Sequence, residues 1–162
     1  MFQELKCNTC HSVNGVGGQA APALGGPAYT PNTMAGAMWS HAANMWQAMD
    51  KAGIKRPNLT EAQAADLSAY FAGGAATDKD GDAGRGRQVY QAKLCESCHD
   101  QDDTGAPKLN ASSGSFSAFF MVSALWQHGD GMLARMVSRN VEWQALSAAE
   151  MGDLIAYLKT RK

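Results

Sequence analysis

The chain has 162 residues, 45% of them hydrophobic and 18% charged, and a formal net charge of −1. This composition predicts a globular protein, and a charge so close to zero gives no reason to expect binding to nucleic acid. No stretch reaches the roughly 18 to 20 consecutive apolar residues of a membrane span, and the first residues, MFQELKC, lack the apolar core of a secretory signal. We therefore expect no transmembrane segment, and any export signal would have been removed from this chain.

Two cysteines followed at once by a histidine stand near the start of the chain. The stretch KCNTCHS holds Cys7, Cys10 and His11, with two residues between the thiols. This spacing is the attachment signature of c-type haem. Two thiols one helical turn apart can reach the two vinyl groups of a porphyrin, and the adjoining imidazole can meet the iron. The motif therefore predicts a covalent haem site.

A helix is predicted next, over 34–49, with the sequence MAGAMWSHAANMWQAM. It carries three side chains able to bind iron, and spacing of four residues puts them on one helical face: His41, Met45 and Met49. Trp39 precedes His41 by two positions. Its indole is suited to pack on a haem edge while the N–H group finds a propionate or backbone partner.

A second helix is predicted over 59–71, and a linker after it. The helix opens with a capping box formed by Thr60 and Gln63, and its apolar positions recur at helical spacing. The following stretch GGAATDKDGDAG is rich in Gly and Asp, which is typical of a linker. We interpret its three acids as solvated spacers: Asp78, Asp80 and Asp82.

The rest of the chain repeats the first part. The stretch LCESCHD holds Cys95, Cys98 and His99, 88 positions after the first motif. The segments 121–136 and 146–158 match the two predicted helices at an offset of 87, so Trp126, His128, Met132 and Met136 correspond to Trp39, His41, Met45 and Met49. A further helix is predicted just before Cys95, and its counterpart at the start of the chain looks trimmed.

This duplication predicts two all-α units. We place unit one at 1–74, a linker at 75–84 and unit two at 85–162. No alternating strand pattern is visible. Units of about 80 residues bury little apolar surface and usually need a covalent, metal or cofactor staple.

Three other uses of the cysteines fit less well. A single zinc site is disfavoured because the two cysteine pairs are far apart in sequence and the adjacent histidines would be unexplained. A thioredoxin-like redox pair needs a strand and helix context that is missing. A disulfide across two intervening residues would stabilise the fold very little.

Each unit resembles a class I cytochrome c, with a helix leading into Cys-x-x-Cys-His, a proline-containing loop, a middle helix and a C-terminal helix ending in DLSAYF or DLIAYL. The resemblance covers nearly all of both halves. It implies two haem c groups attached through Cys7, Cys10, Cys95 and Cys98, with His11 and His99 as proximal iron ligands. It also implies that the carbonyl groups of Pro22 and Pro107 orient those imidazoles.

The distal iron ligand stays open at this point. The stretches GIKRPNL and NVEWQAL, just before the closing helices, contain no Met, unlike many bacterial relatives. We favour Met45 and Met132, then Met49 and Met136, and last His41 and His128. The stretch HGDGM supports this order, because its two glycines should break the helix and let a loop carry Met132 across the ring.

Two six-coordinate haems would leave no open position for a substrate. The resemblance therefore implies an electron carrier located in the periplasm or outside the cell, which exchanges single electrons with partner proteins. The alternatives are an electron-delivery module of a larger oxidoreductase, a diheme peroxidase-like enzyme, or a gas sensor.

Overall fold

The computed structural model describes residues 1–74, 76–110 and 115–161, and over these ranges the protein is mainly helical, as the sequence predicts. The helices in chain order are α1 (Pro31–Lys51), α2 (Glu61–Ala72), α3 (Ala83–Ala92), α4 (Glu96–His99), α5 (Ala118–Ser138) and α6 (Ala148–Thr160). A short 3₁₀ turn, Cys7–Thr9, carries the first cysteine motif. None of the helices in the described ranges combines the length and the apolar character needed to cross a bilayer.

A small β-hairpin follows the first motif, where no strand was predicted. Strand β1 (Ser12–Val13) pairs antiparallel with β2 (Val16–Gly17). Asn14 and Gly15 join them with φ angles of 50° and 79°. An Asn-Gly pair adopts such positive φ angles readily and makes the tight turn whose twist suits a hairpin. The prediction missed it because the strands are too short to show alternation.

The helix start signals are confirmed. Thr60 with Gln63 forms a capping box on α2, and Ser147 with Glu150 forms one on α6. The interpretation of the linker acids as mere spacers is wrong for two of the three. Asp82 accepts a hydrogen bond from the backbone N–H of Arg85 and so caps α3, and Asp78 accepts one from the backbone N–H of Asn32 at the start of α1. Both carboxylates satisfy N–H groups that a helix start leaves unpaired.

In unit two, α3 packs closely across α6. Gly86 faces the backbone of Asp153 so closely that an added Cβ would lie 1.9 Å from its carbonyl oxygen, so only glycine fits. The Asp153 carboxylate then accepts hydrogen bonds from the Arg85 side chain at 2.7 and 2.9 Å and from the backbone N–H of Asp82 at 2.7 Å. The Arg85 hydrogen bonds hold the pKa of Asp153 below its usual value.

This pairing predicts a pH-dependent contribution to stability. Because the folded state lowers the pKa of Asp153, the contribution is complete above the unfolded value of about 3.9 and is lost as the pH falls through the folded value. We expect Asp153→Asn to lower the free energy of unfolding at pH 7 by about 1.5 to 3 kcal/mol, the range for hydrogen bonds to a charged group. Urea unfolding from pH 7 down to pH 2 should show the difference from the parent shrinking below about pH 4.

The repeat offers a matched control for this prediction. Asp66 occupies the position in α2 that Asp153 occupies in α6, but its side chain is exposed. Asp66→Asn should change the free energy of unfolding by no more than about 0.5 kcal/mol. Equal losses in the two variants would show that the Arg85 pairing does not stabilise the fold.

Helix α5 runs through both of its glycines, so the predicted helix break at HGDGM is wrong. The helix is continuous over Ala118–Ser138 and contains Gly129 and Gly131. Gly129 lies against Trp46 of α1, where an added Cβ would come within 2.3 Å of the indole ring. A glycine inside a helix costs only about 1 kcal/mol, which the close approach of a large aromatic ring can offset.

The two units share one core. Helix α1 packs on α5 and α6, and α2 packs on α5, so the long helix of each unit lies against the other unit. Buried side chains of both units, from Met34 and Phe71 to Val122 and Leu158, belong to a single hydrophobic cluster. All four tryptophans gather at this interface, and we call them the tryptophan cluster: Trp39, Trp46, Trp126 and Trp143. The sequence repeat did not predict this interface.

Candidate haem sites

Both motif histidines make the same hydrogen bond. His11 Nδ1 lies 2.8 Å from the Pro22 carbonyl oxygen, and His99 Nδ1 lies 2.7 Å from that of Pro107. A carbonyl oxygen only accepts, so Nδ1 carries the proton and donates, which leaves Nε2 with a free lone pair. Burial lowers the pKa of His99, which favours the neutral imidazole that a metal ligand requires. The structure thus places each predicted pair of residues in contact.

The four cysteines are half-buried and unpaired. Burial raises the pKa of Cys7, and it raises the pKa of Cys95 to about 11. Reactive redox cysteines have lowered thiol pKa values, so these two thiols do not fit a thioredoxin-like role. In the described part of the chain, no three His, Cys, Asp or Glu side chains come together as a metal site.

The turn that carries each motif is held differently in the two units. In unit one, the hairpin and the loop after it bind the turn, through backbone hydrogen bonds from Gly18 to His11 at 3.1 Å and from Ala21 to Cys10 at 3.0 Å. In unit two the buried Thr104 hydroxyl donates to the Cys98 carbonyl at 2.6 Å. Arg135 of α5 in turn donates to the Thr104 carbonyl.

Thr104 and Arg135 support the loop that leads to Pro107, and the sequence analysis did not identify them. No spacing rule marks either residue, because the contact joins a loop to a helix 31 positions away along the chain. A threonine hydroxyl that bonds a nearby carbonyl is common in turns, so Thr104 alone would not have drawn attention.

The candidates for the distal position all lie on the two long helices. The four methionines are half-buried, and the two histidines are exposed: Met45, Met49, Met132, Met136, His41 and His128. His41 Nδ1 is 2.8 Å from the carbonyl oxygen of Ala37, one turn earlier in its own helix. The exposed positions of the histidines agree with ranking them last. The choice among the methionines stays a prediction.

The predicted haem-edge tryptophans lie at the interface between the units. Trp39 stacks on Trp143 with ring centroids 5.0 Å apart, and its Nε1 donates to the Gln144 carbonyl at 2.7 Å. Trp126 meets Trp46 edge-on at 6.3 Å, and its buried Nε1 has no hydrogen-bond partner among the residues that the structure describes. Contact of either ring with a haem stays a prediction.

The sequence profile of the family described as Cytochrome c matches residues 1–74 and again 83–162. The chain belongs to the cytochrome c family. It consists of two tandem cytochrome c domains with the all-α class I fold, so the predicted fold class is confirmed. Such domains imply covalently bound haem c with iron, and haem-based electron transfer. Neither the curated proteins nor the solved structures contain a significant match to the chain.

The residues in place fit this cofactor in both cytochrome c domains. Each domain offers two unpaired thiols three positions apart and, directly after them, an imidazole whose Nδ1 is fixed by a backbone carbonyl. That is the donor set that thioether attachment and iron ligation through Nε2 require. Cys7, Cys10 and His11 would hold one haem, and the equivalent residues of the second domain would hold the other.

Proposed function

We propose that this cytochrome binds two haem c groups and carries single electrons between partner proteins outside the cytoplasm. The observation that supports this most strongly is the repetition of the histidine and proline contact, with Nδ1 to carbonyl distances of 2.8 and 2.7 Å. Two domains that both keep this arrangement are suited to the same chemistry. The haem supplies reversible one-electron exchange between ferric and ferrous iron when bound.

The role of the protein is to hold that chemistry in place. His11 and His99 are kept in one tautomer and one orientation, which fixes the basicity of the iron ligand. The second motif also limits the access of water to the histidine that would bind iron, because His99 and Cys95 are both partly buried. Since covalent haem attachment in bacteria takes place outside the cytoplasmic membrane, the proposal includes a periplasmic or extracellular location.

The direct test is the holoprotein produced in a host that attaches haem. Its mass should exceed that of the polypeptide by two covalently bound haem groups, and its ferrous spectrum should be low-spin and unchanged by carbon monoxide. A mass with no covalent haem would end the proposal. A high-spin fraction that binds carbon monoxide readily would instead favour a peroxidase-like enzyme or a gas sensor.

We further propose Met45 and Met132 as the distal ligands. Met45→Ala and Met132→Ala should each remove the Met–iron signal of one haem from the ferric near-infrared spectrum and lower the reduction potential of that haem, because thioether sulfur favours ferrous iron. The spectrum should be recorded together with a potentiometric titration.

The neighbouring methionines provide the control. Met49→Ala and Met136→Ala lie one helical turn further on and should leave both near-infrared signals intact. Loss of the signal in these two variants, with retention in Met45→Ala and Met132→Ala, would reverse the assignment. Two bis-histidine signals in the parent protein would rule out all four methionines.

A further inference from the structure

The second cysteine motif is tied to the residue that follows α6. Asp100 comes directly after His99, and its carboxylate accepts two hydrogen bonds from the Arg161 guanidinium, at 2.6 and 3.3 Å. The Tyr90 hydroxyl of α3 donates to the same carboxylate at 2.7 Å. We call these three residues the Asp100 cluster: Tyr90, Asp100 and Arg161. The cluster joins the motif to both helices that pack around it.

Aromatic rings hold the guanidinium of this cluster in place. The Arg161 Cζ atom lies 4.7 Å from the centroid of the Tyr90 ring and 5.6 Å from that of the Tyr157 ring. The two rings are themselves in contact, with centroids 5.5 Å apart, and Tyr90 is buried. A cation above an aromatic ring is attracted by the ring electrons. This attraction adds to the ion pair and fixes where the positive charge lies.

The first domain has no equivalent of the cluster. Other residues stand at the matching positions, at offsets of 88 and 87: Phe2 for Tyr90, Ser12 for Asp100 and Gly74 for Arg161. Phe2 has no hydroxyl to donate, and neither Ser12 nor Gly74 carries a charge. The two motif histidines therefore share the same contact with a proline carbonyl but differ in the charges beside them.

We propose that Arg161 is a positioning residue that raises the reduction potential of the second haem by pairing with the Asp100 carboxylate. The inference rests on the proposed function. Ferric iron carries one more positive charge than ferrous iron, so an unpaired carboxylate next to the proximal histidine favours the ferric state and lowers the potential. The guanidinium offsets that charge, so it favours the ferrous state.

Partial burial makes these charges effective. The Arg161 side chain is 18% exposed and that of Asp100 is 33% exposed. Water and salt screen such charges less than they screen a fully exposed pair. Because the first domain lacks both charges, the cluster acts on one haem of the two and contributes to a difference between their potentials.

The test is a potentiometric titration of the holoprotein, followed by haem absorbance, on samples whose mass shows two covalent haems. Arg161→Met should shift the reduction equilibrium of one haem about threefold to tenfold toward the ferric state. At 59 mV for each tenfold change, this lowers its potential by about 30 to 60 mV. The potential of the other haem should stay at the parent value.

Asp100→Asn separates this role from a merely structural one. It removes the negative charge and keeps the shape of the side chain, so it should raise the potential of the same haem. Loss of structure would act differently, because both substitutions break the same ion pair and would shift the potential in the same direction. In the double variant, the effect of Arg161→Met should be smaller than in the parent.

Two further variants serve as controls. Arg161→Lys keeps the positive charge and should recover at least half of the potential shift seen in Arg161→Met. Lys159 lies two positions earlier and is exposed, so Lys159→Met removes the same charge without touching Asp100 and should leave both potentials at the parent values. Far-UV circular dichroism reports whether each variant is folded.

Three results in folded variants would overturn the inference: unchanged potentials in Arg161→Met, shifts of the same sign in Arg161→Met and Asp100→Asn, or equal shifts of both haems. If Arg161→Met does not fold, the sign of the shift in Asp100→Asn decides in its place. A mass without covalent haem would reject the proposed function and this inference together, whereas unchanged potentials in a protein with two haems would reject the inference alone.

Discussion

Replacing Trp46 with alanine should lower the free energy of unfolding by about 3 to 5 kcal/mol, the range for removing a buried aromatic side chain. The indole is only 2% exposed and forms a small cluster with Ala42 of its own helix and Leu125 of the other domain. It also contacts Trp126 and Trp143 edge-on. Its removal would leave a cavity at the centre of the interface between the domains. Urea unfolding followed by far-UV circular dichroism measures the loss.

The glycines of α5 supply the matched control. An added Cβ at Gly129 would lie 2.3 Å from the Trp46 ring, whereas one at Gly131 would meet nothing within 4 Å. Gly129→Ala should therefore cost about 1 to 3 kcal/mol through overpacking. Gly131→Ala should stabilise the helix by up to about 1 kcal/mol.

The double variant with Trp46→Ala tests whether the two positions act through each other. In that double variant, Gly129→Ala should change the free energy of unfolding little, because the indole ring that the new Cβ would meet is gone. A cost for Gly129→Ala that persists without the indole would show that Trp46 is not what excludes a side chain there.

The repeat and the motifs were enough to predict the fold class, and they also indicate the proximal residues, which stay a prediction. Covalent haem attachment would restrict Cys7, Cys10 and His11 to a fixed local spacing, and local spacing is visible in a sequence. The capping boxes at Thr60 and Ser147 are local in the same sense, since donor and acceptor lie three positions apart.

What the sequence could not predict depends on contacts between distant positions. Gly129 looked like a helix breaker because glycine favours breaks, yet its real constraint is the ring of Trp46, which is remote in sequence. Asp78 looked like a spacer because its partner, the Asn32 N–H, is 46 positions away.

The sequence does contain one pattern that indicates the interface between the domains. The two repeats differ in sequence where they pack on each other. At the offset of 87, Trp46 of the first repeat corresponds to Leu133 of the second, and Arg56 corresponds to Trp143. Large aromatic residues that break the symmetry of a duplication need partners that the single unit does not provide. Positions of this kind indicate where two repeats pack on each other.

Replacing His11 with alanine should unfold more than the first domain. Under the proposed function, His11 binds the iron of a haem that takes the place of a large apolar core in so small a unit, so its loss would weaken the hold of that domain on the haem. Because α1 lies on α5 and α6, and α2 lies on α5, the second domain loses packing as well. We expect a single transition at lower urea concentration, in which circular dichroism and the absorbance of the remaining haem change together.

His41 in the same domain is the control for this variant, because its side chain is exposed and its Nδ1 contacts the Ala37 carbonyl of its own helix. His41→Ala should keep the parent urea midpoint and both haem spectra. If it behaved like His11→Ala, His41 would have to be an iron ligand. If His11→Ala kept native helicity and melting, or lost only the first domain while the second unfolded at the parent midpoint, the shared core would not couple the two domains.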